Sequence, residues 1–393
     1  MTTRLEQTVP ESVGMSSERL GWMHSLIEQH VASGRSPSVA AVVLRRGKVV
    51  LQKALGVQRP DGAALEIDHV WPLASAGKPL TAAVAMTLVE EGHVGLTQPV
   101  IDFFPELRDG GNDDVLIHHL LTHSAGWESA QRTHRLEAAF ADGSLPPAAE
   151  GDNFIDHMFR VLAFDPVRVA AAGEQMDYDN SHYTLLSEII RRVTGGTLDR
   201  AMRQRIFEPL GLDHSAVIVD DALRPHVVRR SPGLPFGPDA LLSFEGEMFE
   251  SCDAGAAGVF MSPMDLAVFG QTILEGGSFG GTRILAPSTV TTMVTNQVPG
   301  VPALFGDRVL PEGSWGYGFT VLQPRGFPFF SGGLVPDGTA MHPGAGGISY
   351  WIDFENEIVA VFFEVISEMS EHFEPVSGIG HRMQDVVVGA VES

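Results

Sequence analysis

Leu73-Ala74-Ser75-Ala76-Gly77-Lys78-Pro79 is the stretch on which the reading of this 393-residue chain turns. Pro72 and the loop before it place Ser75 at or just before a helix start. From Ala76 to Glu91 the apolar residues Leu80, Val84, Met86, Leu88 and Val89 follow a helical pattern, and Gly92 stops it. Pro79 fits only in the first turn, where a missing N–H matters little. Residues three apart share a helix face with a rise of roughly 4.5 Å, so Ser75 and Lys78 point into one space. The helix N-terminus adds free N–H groups and partial positive charge, which suit a hydroxyl whose reaction passes through an oxyanion. Lys48, Lys53 and Lys78 are the only lysines among 26 basic residues. Arginine stays protonated in a protein, whereas a buried lysine can release its proton. Lys48 and Lys53 fall in a surface hairpin, and Lys78 does not. Taken alone, the motif also reads as a serine N-cap followed by a solvated lysine.

A serine hydroxyl is a poor nucleophile without a base. Of four tyrosines, Tyr178 lies in Met176-Asp177-Tyr178-Asp179-Asn180, a turn before a helix over about 183–193. A nearby ammonium favours the phenolate, so Tyr178 and Lys78 are expected to share a proton. Asn180 can orient the lysine through its carbonyl or a substrate amide through its NH2. The plainer alternative packs Tyr178 in the core and uses Asn180 or Ser181 as a cap. The third piece is Met341-His342-Pro343-Gly344-Ala345-Gly346-Gly347. Glycines beside a strand let backbone approach a ligand closely, and the Ala345 N–H can join that of Ser75 in an oxyanion hole. The plainer alternative is a glycine-rich hairpin loop with a surface histidine.

In this order and spacing the three pieces resemble the serine β-lactamase-related hydrolases: class C β-lactamases, family VIII carboxylesterases, D-stereospecific aminopeptidases and amidases, and DD-peptidases. The family's S-x-x-K is matched by Ser75 to Lys78, its Y-x-N by Tyr178 to Asn180, and its K-T-G or H-x-G element by His342 to Gly344. His119 to Gly126, Ile206 to Leu212 and Gly255 to Ser262 are similar to its connecting segments, so the resemblance runs from about Pro10 to about Val388. It implies an α+β, β-lactamase/DD-peptidase-like fold with the active site in a cleft between two domains. It implies that Ser75 attacks the acyl carbon while Lys78 and Tyr178 move its proton. The Ser75 and Ala345 N–H groups hold the oxyanion, Asn180, His342 and Gly344 contact substrate, and water activated by Tyr178 frees the acyl group. No cofactor and no metal are expected; His119 and His123, four apart, lack further ligands. Two departures matter. His342 replaces a fixed lysine charge with a group mostly neutral near pH 7, and Pro343 removes a hydroxyl and a backbone donor. Both point away from strong β-lactamase activity and toward a small uncharged ester. An amide or D-amino-acid derivative, acyl transfer, and a non-catalytic scaffold are the alternatives.

Residues 16–34 read as a helix, Ser38–Leu44 and Val49–Leu55 as a hairpin, and the middle as mostly helical to about 215. The stretch 131–169 has weaker periodicity and reads as a lid or insertion. Trp315–Leu322, Ile348–Phe354 and Ile358–Val365 read as strands, and 378–391 as a closing helix. The economical assembly is an antiparallel sheet flanked by helices and built from both chain ends, residues 1–74 and 255–393, with a helical domain over 75–254 inserted between them. Specificity is expected from 128–168, 222–254 and 297–340. Phe236, Phe244, Phe249, Trp315, Phe327, Phe329 and Phe330 are candidates for an apolar wall. The formal charge of -23 argues against nucleic-acid and anionic-membrane partners. The single Cys252 precludes an internal disulfide. The start lacks the apolar core of a secretory signal and no 18-residue apolar run occurs, so a cytoplasmic protein is expected. Oligomeric state is not legible.

Overall fold

The computed structural model describes residues 5–147, 153–240, 243–305, 308–323, 331–368 and 378–393. Its main sheet has seven strands: β1 (Glu6–Gln7), β2 (Ser38–Arg45), β3 (Lys48–Gly56), β4 (Thr320–Val321), β5 (Ala340–Gly344), β6 (Ile348–Asp353) and β7 (Ile358–Glu364). They run in the order β1-β3-β2-β7-β6-β5-β4. Central β2 is buried on both faces, which explains its unbroken apolar sequence. Val39, Ala41 and Val43 enter one core while Ala40, Val42 and Leu44 enter the other, the period of two that a pleated strand imposes. Six strands pair antiparallel; the short β1 joins β3 in parallel, an edge pairing too short to leave a sequence pattern.

Helix α1 (Ser17–Ala32), capped by the Ser16 side chain, lies over one sheet face beside the closing helix. The middle of the chain supplies α2 (Lys78–Glu90), α3 (Ile117–Leu121), α4 (Ser129–Asp142), α5 (Phe154–Phe164) and α6 (Asn180–Thr194). Helix α7 (Pro263–Leu274) packs on the second sheet face and α8 (Gly380–Gly389) is the closing helix. The α+β class is thus observed. The stretch 131–169 holds the greater part of two helices, α4 and α5. Among the described residues, no helix is long and apolar enough to cross a membrane.

Trp315–Leu322 is not the strand its composition suggests; only Thr320–Val321 is extended. Ser314 and Gly318 have φ of 51° and 88°. A Cβ on Gly316 would lie 2.0 Å from the Met293 carbonyl, and one on Gly318 would lie 2.8 Å from Pro79 Cα. The glycines therefore fold this segment into a tight loop against the start of α2, closed by a bridge from Trp315 to Thr320.

Candidate active site

The hydroxyl that opens the site stands on strained backbone. Ala74 has φ 47°, a region that costs an L-residue roughly 1–2 kcal/mol. Ala74–Gly77 then forms a 3-10 turn that runs into α2, a tighter start than the uniform helix expected from residue 76. The turn is pinned by Leu73, whose N–H donates to the Val259 carbonyl at 2.8 Å. Gly77 fits because a Cβ there would sit 2.8 Å from the Val259 side chain. Ser75 is half-buried while its neighbours are buried.

Lys78 is fully buried. Its Nζ lies 2.9 Å from Ser75 Oγ, 2.9 Å from Asn180 Oδ1 and 3.0 Å from the Ala256 carbonyl. All three ammonium positions are thus directed at named acceptors, and no carboxylate is among them. Burial without a counter-charge drives its pKa well below the ordinary lysine value. The solvated first-turn lysine is therefore not what the fold contains.

The Tyr178 hydroxyl bonds Ser75, and Lys78 Nζ is 4.9 Å from its ring centroid. The ring packs against His123, Trp315 and His342 at centroid distances of 4.7, 5.5 and 6.1 Å. One expectation fails here. A nearby lysine by itself favours the phenolate, yet burial pushes the Tyr178 pKa up. Desolvation works against both charged forms, the ammonium and the phenolate. Asn180 opens α6, but the cap is Asp179, whose carboxylate accepts the Ser181 N–H at 2.6 Å. That leaves the Asn180 amide oxygen for Lys78.

His342 is buried, 1% exposed, and is not a surface residue. Its Nδ1 is 2.6 Å from the Pro343 carbonyl, and burial, with Lys78 adding to it, lowers its pKa to about 3. A neutral ring donating from Nδ1 presents Nε2 as a lone pair, so this position offers an acceptor where a lysine would offer charge. Gly344 meets the start of α2 directly: a Cβ on it would lie 2.1 Å from the Leu73 carbonyl and 3.2 Å from Ala76 Cβ. Ala345 follows at the strand end and packs on the cluster that contains Ala74.

Two neighbours escaped the sequence reading of the site. His123, a residue with φ 56° and no exposure, accepts the Asp179 N–H on Nδ1 at 3.2 Å and so holds the backbone next to Tyr178. Its place just before Gly126 was the available signal. Trp315, which its composition offers only as wall, touches Tyr178 and His342 through the loop described above. His119 Nδ1 accepts the Leu116 N–H at 3.0 Å. Among the described residues no group of three His, Cys, Asp or Glu side chains converges as a metal site. Of the other aromatic candidates, Phe236, Phe244 and Phe249 stack on one another in the core. Phe327, Phe329 and Phe330 lie outside the described residues.

A serine on a helix start, a buried amine and a phenol in mutual contact are the parts of a serine acyl-transfer centre on a β-lactamase-like fold. The chain belongs to the Beta-lactamase family, whose model matches residues 23–367, and is a serine hydrolase of that family. It is 27% identical over 361 residues to esterase EstB of Burkholderia gladioli, covering 84% of this chain and 86% of the relative. It is also 27% identical over 323 residues to a putative D-alanyl-D-alanine carboxypeptidase of Escherichia coli (strain K12), covering 74% and 72%. A penicillin-binding protein homologue from Caulobacter crescentus has a similar fold, with a TM-score of 0.73, 22% identity and 96% and 99% coverage.

Proposed function

We propose that this protein is a carboxylesterase that hydrolyses small uncharged esters through an acyl-enzyme on Ser75. The observation that carries the reading is the contact of Ser75 Oγ with a buried Lys78 that lacks a carboxylate partner. The neutral amine takes the Ser75 proton as Oγ bonds to the acyl carbon. The carbonyl oxygen gains the negative charge and is held by the Ser75 and Ala345 N–H groups. As the oxyanion collapses, the ester C–O bond breaks and the leaving alkoxide takes the Tyr178 proton, which the Lys78 ammonium replaces. Water then adds to the acyl carbon and gives its proton to the same pair. The acid departs as Ser75 Oγ regains hydrogen. Asn180 holds the lysine, while His342 and Gly344 line the acyl site.

The preference for an uncharged ester rests on His342, whose neutral ring offers no charge to a substrate carboxylate, and on the likeness to an esterase. An amidase or DD-peptidase activity is the second reading, favoured by the carboxypeptidase relative. The cleft is proposed to separate a sheet domain, residues 1–74 and 255–393, from a mostly helical one, 75–254. Mixing the enzyme with p-nitrophenyl butyrate should give a burst and an acyl mass on Ser75, both lost in Ser75→Ala. A panel of esters, D-aminoacyl amides and nitrocefin ranks the substrate classes. Unchanged turnover in Ser75→Ala rejects the mechanism, and faster turnover of D-aminoacyl amides replaces the substrate assignment.

A further inference from the structure

Arg230 stands apart from the protein's other sheltered arginines. Arg191 and Arg229 lodge their heads on carboxylates, at Asp253 and Glu250 respectively. Arg230 has a fully buried side chain, yet none of its three guanidinium nitrogens has a partner at ordinary hydrogen-bond length among the described residues, and its pairing with Glu245 is long and weak. The nearest carboxylate oxygen, on Glu245, is 3.7 Å from Nη1. That carboxylate spends its Oε1 on the Arg230 backbone N–H at 2.9 Å instead. The guanidinium carbon is 5.6 Å from the Phe244 ring. The far end of the side chain lies against the turn that follows β5. A Cβ on Gly346 would be 2.7 Å from Nη2, so the glycine, with φ 91°, is what admits the charge there. Burial lowers the Arg230 pKa only to about 10, which leaves it cationic near neutrality.

We infer that Arg230 is a positioning residue for the reaction: its guanidinium props the Ala345–Gly346 turn and sets a fixed positive charge behind the oxyanion. This rests on the assignment of the Ala345 N–H to the oxyanion proposed above. A cation shielded from water acts over several ångströms at low effective dielectric. It also needs no reorganisation as the negative charge develops. The imperfect pairing with Glu245 leaves part of its field uncancelled. The charge is sealed beneath the turn, so its action is on the transition state and not on substrate binding.

The test measures the acylation rate constant with p-nitrophenyl butyrate per active site, with sites counted by a fluorophosphonate that labels Ser75. Arg230→Met should acylate about tenfold more slowly per labelled site, with KM near that of the wild type, and Arg230→Lys should recover part of the loss. Glu245→Gln keeps an amide oxygen for the Arg230 N–H but removes the opposing charge, and Arg229, which also meets Glu245 at 3.5 Å, keeps its Glu250 partner, so the variant should acylate faster per site. A purely structural role predicts the reverse for Glu245→Gln, because both variants would then weaken the turn. Wild-type acylation in Arg230→Met, or a Glu245→Gln rate no higher than wild type, overturns the inference. If Arg230→Met gives no labelled enzyme, the Glu245→Gln rate decides alone. Failure of the wild type to label at Ser75 would instead reject the proposed serine chemistry.

Discussion

Gly344 and Leu73 are in backbone contact across the mouth of the site: a Cβ at 344 would lie 2.1 Å from the Leu73 carbonyl oxygen. Strand β5 and the serine-bearing turn are thereby held at a spacing that any side chain would break. Gly344→Ala must push the strand end away from Ser75 and separate the two proposed oxyanion donors. A loss of about 100-fold in kcat is expected, with a smaller change in thermal stability. Steady-state kinetics beside a melting curve check this.

Lys78 must be neutral to accept a proton, and its burial lowers its pKa. Acylation should therefore rise with pH along a limb whose midpoint lies well below 10.5. The Asn180 oxygen, 2.9 Å away, favours the ammonium. Asn180→Leu should accordingly move the limb to lower pH. Lys78→Arg should abolish the burst, since a guanidinium does not deprotonate in this range. Pre-steady-state bursts across pH check all three.

His342 is sheltered in its neutral form, with a pKa near 3 in the fold against 6.5 for the free side chain. The unfolded chain therefore binds more protons between these values, and stability rises with pH across that window. Acidification from about pH 6.5 toward 3 should destabilise the protein, and His342→Gln should flatten that part of the profile. Melting temperatures recorded against pH for the two proteins provide the comparison.

Ala74 occupies left-handed backbone with φ 47°. Ala74→Gly should relieve that strain and stabilise the fold by up to about 1 kcal/mol, after the added freedom of the unfolded glycine is deducted. Ala74→Val, branched at Cβ, should destabilise it and misplace Ser75. Denaturant titrations and counts of labelled Ser75 distinguish the two effects.

The serine, lysine, tyrosine and asparagine were legible because each sits at a fixed offset on a helix start or turn, where spacing determines direction. The sheet was legible because β2 and β7 are long apolar runs. What escaped notice depends on long-range packing. The loop around Trp315 looks like a strand by composition, and only the approach of Met293 and Pro79 to its glycines shows why it turns. The phenol's preference for its proton depends on solvent exclusion, and a lysine seen only in sequence suggests the opposite sign. His123 and Arg230 act from remote segments; the nearby Gly126 is a faint local signal for the first, and nothing local in the sequence indicates the turn that Arg230 supports.

In the sheet, Ile358–Glu364 lies between Ser38–Arg45 and Ile348–Asp353, so a strand made early waits for a partner more than 300 residues further along the chain. Ser75 and Lys78 leave the ribosome together, while Gly344 and Ala345 arrive some 270 residues later. A nascent polypeptide thus presents the proposed nucleophile well before its proposed cradle exists, so hydrolytic competence is expected only once residues 344–345 have been made and have folded against the serine turn.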